Sequence, residues 1–288
     1  MGTDGRSGKA GVDDLPAWDG ASYAANTSHH RLHDDRFVAA LALRGDERIL
    51  DVGCGSGDLT AKLAALVPDG EVVGLDPQPS LLEQAERVAR PNQRFVQGAA
   101  QTMDAAVAGL GDDRPFDVVL SRAALHWVPL RDHPSVLAAA HSVLAPGGRL
   151  RLEMGGHGNI ATTMARLDRW SAPLGGPVEP WCFADAGTYL GLLERAGFVV
   201  EPNDVLTVAQ RRAFDRDGLI GWFTSQVEQA YTHTMSADSA ATFHDTAVAG
   251  IDELRHWDGT YDQTYVRLEV LAQRAAEPGR WSGGSVAT

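Results

Sequence analysis

Apolar and polar positions fall into two textures along the chain. Short, near-continuous apolar runs recur at Arg48–Val52, "EVVGLD" (71–76), "RFVQG" (94–98), "FDVVL" (116–120) and "RLRLEM" (149–154). Between them lie segments with apolar residues three and four apart: Ser22–Leu43, "LTAKLAALV" (59–67), "SLLEQAERVAR" (80–90) and "SVLAAAHSVL" (135–144), the last closed by "APGG". Strands that are apolar on both faces are buried on both faces, so the alternation predicts a parallel sheet sandwiched by helices. After Gly155 the texture changes. "GTYLGLLERAGFVVEPNDVLTVA" predicts a helix, a glycine stop and a strand, residues 212–256 predict helices carrying aromatics, and "TYVRLEVLAQ" (264–273) predicts a final strand.

The first strand runs into "LDVGCGSGDLT" (50–60), with Gly53, Gly55 and Gly57 in five positions. Each glycine costs roughly 0.5–1 kcal/mol in regular structure, so something must approach this backbone closely. A loop between strand and helix can turn backbone amides toward a ligand. The Gly-x-Gly-x-Gly spacing is not the dinucleotide fingerprint, whose third glycine position holds Asp58, and no Gly-Lys-Ser/Thr follows to grip a phosphate. An oxidoreductase on this sheet would need the longer spacing. Asp76 ends the next strand, where a carboxylate can accept both ribose hydroxyls, although Asp before "PQPSLLEQ" also reads as a helix cap. Asp51, before the loop, repels phosphate and suits an amino group. A ribose and a cationic amine together fit S-adenosylmethionine.

With 288 residues and a net charge of −13, the chain is large enough for a full core and repels polyanions on average. We expect no nucleic-acid partner. No signal-peptide or membrane-spanning run is present, and the two cysteines, Cys54 and Cys182, do not make a disulfide framework. A cytoplasmic monomer or homodimer is the expectation. Cys54 reads as a small buried spacer rather than a nucleophile.

The glycine loop resembles motif I of the class I S-adenosylmethionine-dependent methyltransferases. "VVGLDPQPSLLEQA" looks like their second strand and ribose-binding turn, "FDVVLSRAALHWV" like the fourth strand, and "LAPGGRLRLEMGGHGNI" like the fifth. "PWCF", "LLERAGF" and "YVRLEVLA" are similar to the small-molecule branch that includes trans-aconitate methyltransferase. The resemblance implies a Rossmann-like, seven-stranded, mostly parallel sheet with helices on both faces and an inserted helical cap. Small, polar, glycine-rich composition marks 1–17 as disordered and 276–288 as a loose tail, and between them the resemblance implies a cofactor-binding core with an N-terminal helical lid (18–154), a helical cap plus one core helix and strand (155–260) and a final strand (261–275). It further implies that Asp51 meets the methionine amine, that Gly53, Gly55 and Gly57 admit the cofactor, that Asp76 holds the ribose with Pro77 shaping the turn, and that Ala100, Gln101 and Ser121 complete the cofactor site. The sequence departs from the family at Ala99, where Asp is usual, and at Arg122, where Asn is frequent; Arg122 puts a cation near the methionine end or the substrate mouth.

His126 and Trp127 follow the fourth strand and His157 the fifth, so all three begin near the strand ends where ligands bind. Tyr23 and His30 inherit from the resemblance a place in the lid. His126, His157 and Tyr23 are the candidate catalytic residues; His30, Arg122, Trp127, Trp181, Phe183 and Trp222 are the candidate substrate contacts, with Trp170, Phe223, Tyr231, Trp257 and Tyr261 as cap core. His29 and His33 stand four apart but lack the further ligands of a zinc site, so no metal is expected. The aromatic cap points to a planar, natural-product-like acceptor methylated on C, N or O. The alternatives are a trans-aconitate-like carboxylate anchored by Arg122 or Arg166, and a non-catalytic binder of the cofactor.

Overall fold

The computed structural model describes residues 31–276. The expectations at Tyr23, His29, His30 and the two termini lie outside the described residues. The first helix, α1 (Arg31–Ala39), leads into β1 (Arg48–Val52). Strands and helices then alternate: α2 (Asp58–Leu66), β2 (Glu71–Asp76), α3 (Pro79–Arg87), β3 (Gln93–Gln97), α4 (Met103–Ala108), β4 (Phe116–Arg122), α5 (His133–Val143) and β5 (Leu144–Gly155). Neighbouring strands among these five pair in parallel, in the order β3-β2-β1-β4-β5.

Alternation along each strand feeds two cores. Ile49, Val72, Val118 and Leu120 pack with Phe37, Leu41 and Leu63 under α1 and α2. Leu50, Val73, Val119, Leu150 and Leu152 pack with Met103, Leu137 and Tyr189 on the other face. Both faces are therefore covered, as near-continuous apolar strands require.

Beyond β5 comes α6 (Ala161–Ser171), then α7 (Ala186–Arg195), β6 (Phe198–Val199), β7 (Val205–Arg212), α8 (Arg216–Trp222), α9 (Glu228–Thr232), α10 (Ala237–Gly250) and β8 (Gln263–Arg274). β8 runs antiparallel to β5 on one side and to both β6 and β7 on the other. Among the described residues the sheet keeps the expected seven-place order, with the last place filled by two pieces, β6 and β7. Pro202 has no N–H to give a ladder and Asn203 is left-handed (φ 73°), so the edge strand stops after Val199 and resumes at Val205. The cap is α6 and α8–α10, packed around Leu167, Trp181, Trp222, Phe223, Tyr231 and Phe243 and resting on Tyr261 and Tyr265 at the β8 end. Trp257 is not core: it sits in the turn before β8 and is 98% exposed.

Candidate active site

The ends of β1 and β2 bring Asp51, the glycine loop and Asp76 together. Asp51 is buried and accepts a 2.7 Å hydrogen bond from Thr60 Oγ1 on α2. Burial pushes its pKa up to about 7, with the Thr60 bond opposing and the Asp76 charge adding to the rise. Asp76 accepts from Gly55 N–H and from Gln78 N–H, both at 2.9 Å, and burial raises its pKa as well. It bridges loop and turn and caps no amide inside α3, whose own N-cap is Gln78.

The loop amides do not face outward as the sequence suggests. Gly53 and Cys54 N–H donate to Leu75 O at 2.7 and 3.1 Å, and Gly57 N–H donates to Cys54 O at 3.0 Å. All three glycines have positive φ, yet the close approach at two of them is to protein. A Cβ on Gly53 would lie 2.3 Å from the Ala124 methyl, and one on Gly57 would lie 2.9 Å from that of Ala85. With its amides engaged and two carboxylates beside it, this loop is an acceptor of hydroxyls and cations, not a phosphate cradle. That chemistry fits a ribose diol and an ammonium group. Cys54 is buried, and burial raises its thiol pKa well above the usual value, which leaves it inert.

Around this centre, Ser121 Oγ donates to Val52 O at 2.7 Å and ties the ends of β4 and β1 together. Half-buried Pro77 offers its carbonyl to Gln97 Nε2 at 3.2 Å. Ala99 O accepts from Thr102 N–H at 3.1 Å, starting the turn that buries Ala100 and leaves Gln101 half-buried. Ala123 follows β4 with φ 56°, a strained conformation for a residue with a Cβ, and so sets Ala124 against Gly53.

At the ends of β4 and β5 an aromatic wall forms. Trp181 stacks on Phe183 at 5.8 Å and 14°, and meets Trp127 and Tyr231 edge-on at 5.7 and 5.8 Å. His126 lies 5.8 Å from Trp127 and 6.1 Å from Phe183, ring to ring. Its Nδ1 accepts from Gly155 N–H at 3.4 Å, and its carbonyl accepts from Cys182 N–H at 2.8 Å. Burial, reinforced by the Arg267 charge, lowers the imidazole pKa to about 3. The ring is therefore neutral, and with its Nδ1 lone pair engaged the proton sits on Nε2.

Other expected contacts lie elsewhere. Arg122 is not at an open mouth: its side chain is 6% exposed, ion-paired with Glu153 on the neighbouring strand at 3.4 Å, and faces the Phe37 ring under α1. Arg166 pairs with Glu253 on the outside of the cap. Trp222 is buried against Phe214 and Tyr265. The His157 side chain is exposed, while its backbone N–H holds Ala184 O at 3.0 Å. No group of three or more metal-ligating side chains occurs among the described residues.

Fold and site define a doubly wound α/β protein with two buried carboxylates at the ends of β1 and β2. The family model for the methyltransferase domain matches residues 49–148. A trans-aconitate 2-methyltransferase of Methylobacterium radiotolerans is 28% identical over 90% of this chain and 99% of its own length. An uncharacterized methyltransferase of Schizosaccharomyces pombe is 30% identical over 64% of this chain and 71% of its own length. The solved structure of a putative methyltransferase from Bacillus halodurans has the same fold, with TM-score 0.57 and 19% identity over 84% of this chain and 99% of that one. The chain belongs to the class I S-adenosylmethionine-dependent methyltransferases.

Proposed function

We propose that the protein methylates a carboxylate oxygen of a small organic acid, giving a methyl ester. The observation that carries this reading is the His126 Nδ1 held by the Gly155 N–H. With that lone pair engaged the ring is a donor through Nε2, and burial, which lowers its pKa, makes it a poor base. A phenol or indole acceptor has to lose a proton, whereas a carboxylate, with a pKa near 4, arrives ionised at neutral pH. Relatives named trans-aconitate 2-methyltransferase, of which the Methylobacterium protein is one, support the same substrate class. The aromatic-acceptor reading has less behind it, since Trp181, only 8% exposed, gives its faces and edges to Phe183, Trp127 and Tyr231.

In this reading Asp76 holds the ribose hydroxyls and Asp51 the ammonium of S-adenosylmethionine, while Ser121 keeps the two strand ends in register. The bound cofactor supplies an electrophilic methyl group on a sulfonium, which a carboxylate oxygen takes in line. The protein's task is chiefly orientation, which can be worth about 7–11 kcal/mol. His126 donates from Nε2 to the second oxygen of the reacting carboxylate, and the packed rings keep water out.

The test is a panel of mono-, di- and tricarboxylic acids beside phenols and indoles, read by S-adenosylhomocysteine release and by mass spectrometry of the ester. Methyl esters are expected, with kcat flat between about pH 6 and 9 because neither the acid nor His126 titrates there. Turnover confined to phenols or indoles would overturn the reading. Cofactor binding without any turnover would favour the non-catalytic alternative.

A further inference from the structure

Both arginines that the sequence offered as carboxylate anchors are already ion-paired, Arg122 with Glu153 and Arg166 with Glu253. Two other arginines on the cap side of the sheet have no carboxylate partner among the described residues. Arg267 lies on β8 opposite Gly155 of β5, the residue whose N–H holds His126. Its guanidinium is half-buried and rests over the Tyr265 ring at 5.0 Å. Arg212, at the end of β7, pairs with Gln263 across the ladder. Residues of the same parity share a face of a strand, so Gln263, Tyr265 and Arg267 point the same way, and Arg212 points with them. Arg212 Nη1 is buried without a hydrogen-bond partner, and so is the hydroxyl of Tyr265, a residue only 9% exposed. The Arg212 guanidinium lies over the Phe214 ring at 4.5 Å, and burial raises the Tyr265 phenol pKa while the Arg212 and Arg267 charges, with contacts to Arg212 and Trp222, pull it down. The same Arg267 charge reaches His126.

Two cations on one face of the ladder, flanking a buried phenol, are complementary to an anion with two or more acceptor atoms. A planar guanidinium matches a carboxylate fork for fork. We propose that Arg212, Tyr265 and Arg267 form a specificity subsite that binds a second carboxylate of the acceptor, one that is not methylated. This inference rests on the carboxylate reading above and narrows it. β8 lies two strands from β4 in the sheet order, about 10 Å at the usual strand spacing. An acid held at Arg267 therefore extends its other carboxylate toward His126 and the ends of β4 and β1, so the acceptor is a di- or tricarboxylate of several carbons rather than a monocarboxylic acid. Arg267 and Arg212 position and select; they do not take part in bond making.

The experiment compares the full-length enzyme with Arg267→Gln, Arg212→Gln and Tyr265→Phe, using trans-aconitate and a monocarboxylic acid of similar length as acceptors. The expected result is a KM for trans-aconitate at least 30-fold higher in Arg267→Gln, with S-adenosylhomocysteine affinity unchanged within twofold and Arg267→Lys recovering part of the loss. The monocarboxylic acid should be a poor substrate for wild type, and the substitution should barely affect it. Thermal melting separates misfolding from lost recognition, and Tyr265→Phe, which keeps the ring, provides a second variant. Wild-type turnover of trans-aconitate with unchanged KM in all three variants would overturn the subsite and leave the proposed function standing. If no acid is methylated, calorimetry of tricarballylate on the S-adenosylhomocysteine complex decides. Arg267-dependent binding keeps the subsite and discards the proposed reaction, and absence of binding discards both.

Discussion

Asp51 makes the cofactor end sensitive to pH. Its pKa, raised from the ordinary 3.8 to about 7, means that the folded protein holds this proton more tightly than the unfolded chain does. The sign follows: as pH climbs from about 4 to 7 the unfolded state ionises first, so this group lowers stability of the cofactor-free protein through that window and reaches its full cost above pH 7. A bound ammonium group reverses the preference. We predict release of close to one proton on cofactor binding at pH 6, and of almost none at pH 8.5, read by calorimetry in buffers of different ionisation enthalpy. Asp51→Asn should abolish the release, and its persistence in that variant would place the proton elsewhere. Gly53 makes a different point. Its substitution by Ala meets the Ala124 methyl and a positive φ together, so Gly53→Ala should cost several kcal/mol of stability without any cofactor present. Combining it with Ala124→Gly should restore part of that. Strict additivity of the two in denaturant melts would remove Ala124 as the reason for this glycine.

Among the elements, the seam between α5 and α7 is held by His133, buried with Nδ1 3.1 Å from Tyr189 Oη and Nε2 3.0 Å from Val128 O. Nε2 must donate to the carbonyl, so Nδ1 accepts from the phenol. Burial lowers the His133 pKa below 6.5. A histidine whose folded pKa is depressed contributes stability that is complete above its unfolded pKa and fades as pH falls below it. We predict that replacing His133 by Gln flattens the loss of unfolding free energy between about pH 6 and 5, by up to one proton or about 1.4 kcal/mol per pH unit. A slope equal to wild type would show that the seam does not titrate. The elements were the most legible part of the sequence, because strand periodicity and the glycine stop after α7 are local signals. The acids Asp51 and Asp76 were legible too, through their place at strand ends. The direction of the loop amides was not, since Leu75 and Asp76 compete for them across the sheet. Arg122 reads in sequence as a cation at a strand end, and only the β4–β5 register reveals Glu153 beside it. Arg212, Tyr265 and Arg267 carry no motif at all; two strands paired antiparallel bring them to one face.

For the whole molecule, the cap is an aromatic core laid against one end of the sheet, with Trp181 packed at its centre. Trp181→Ala removes a buried ring from among Trp127, Phe183 and Tyr231, and Trp or Phe truncations in cores cost about 3–5 kcal/mol. We predict a lower melting temperature and loss of acceptor turnover, with S-adenosylhomocysteine affinity retained because the β1–β2 centre lies outside the cap. An unchanged melting temperature would show that the ring serves only as a pocket wall. The strand that joins cap and sheet has a consequence for biogenesis. β8 supplies the antiparallel neighbour of β5 on one side and of β6 and β7 on the other, yet it is translated after all of them. Until Gln263–Arg274 emerges, the nascent chain carries β5 as an open apolar edge and a cap with nothing to rest on, and an open edge is a template for wrong pairing. Ribosome-bound intermediates that stop before Gln263 should therefore be chaperone clients, and completion of β8 is the event that closes the molecule.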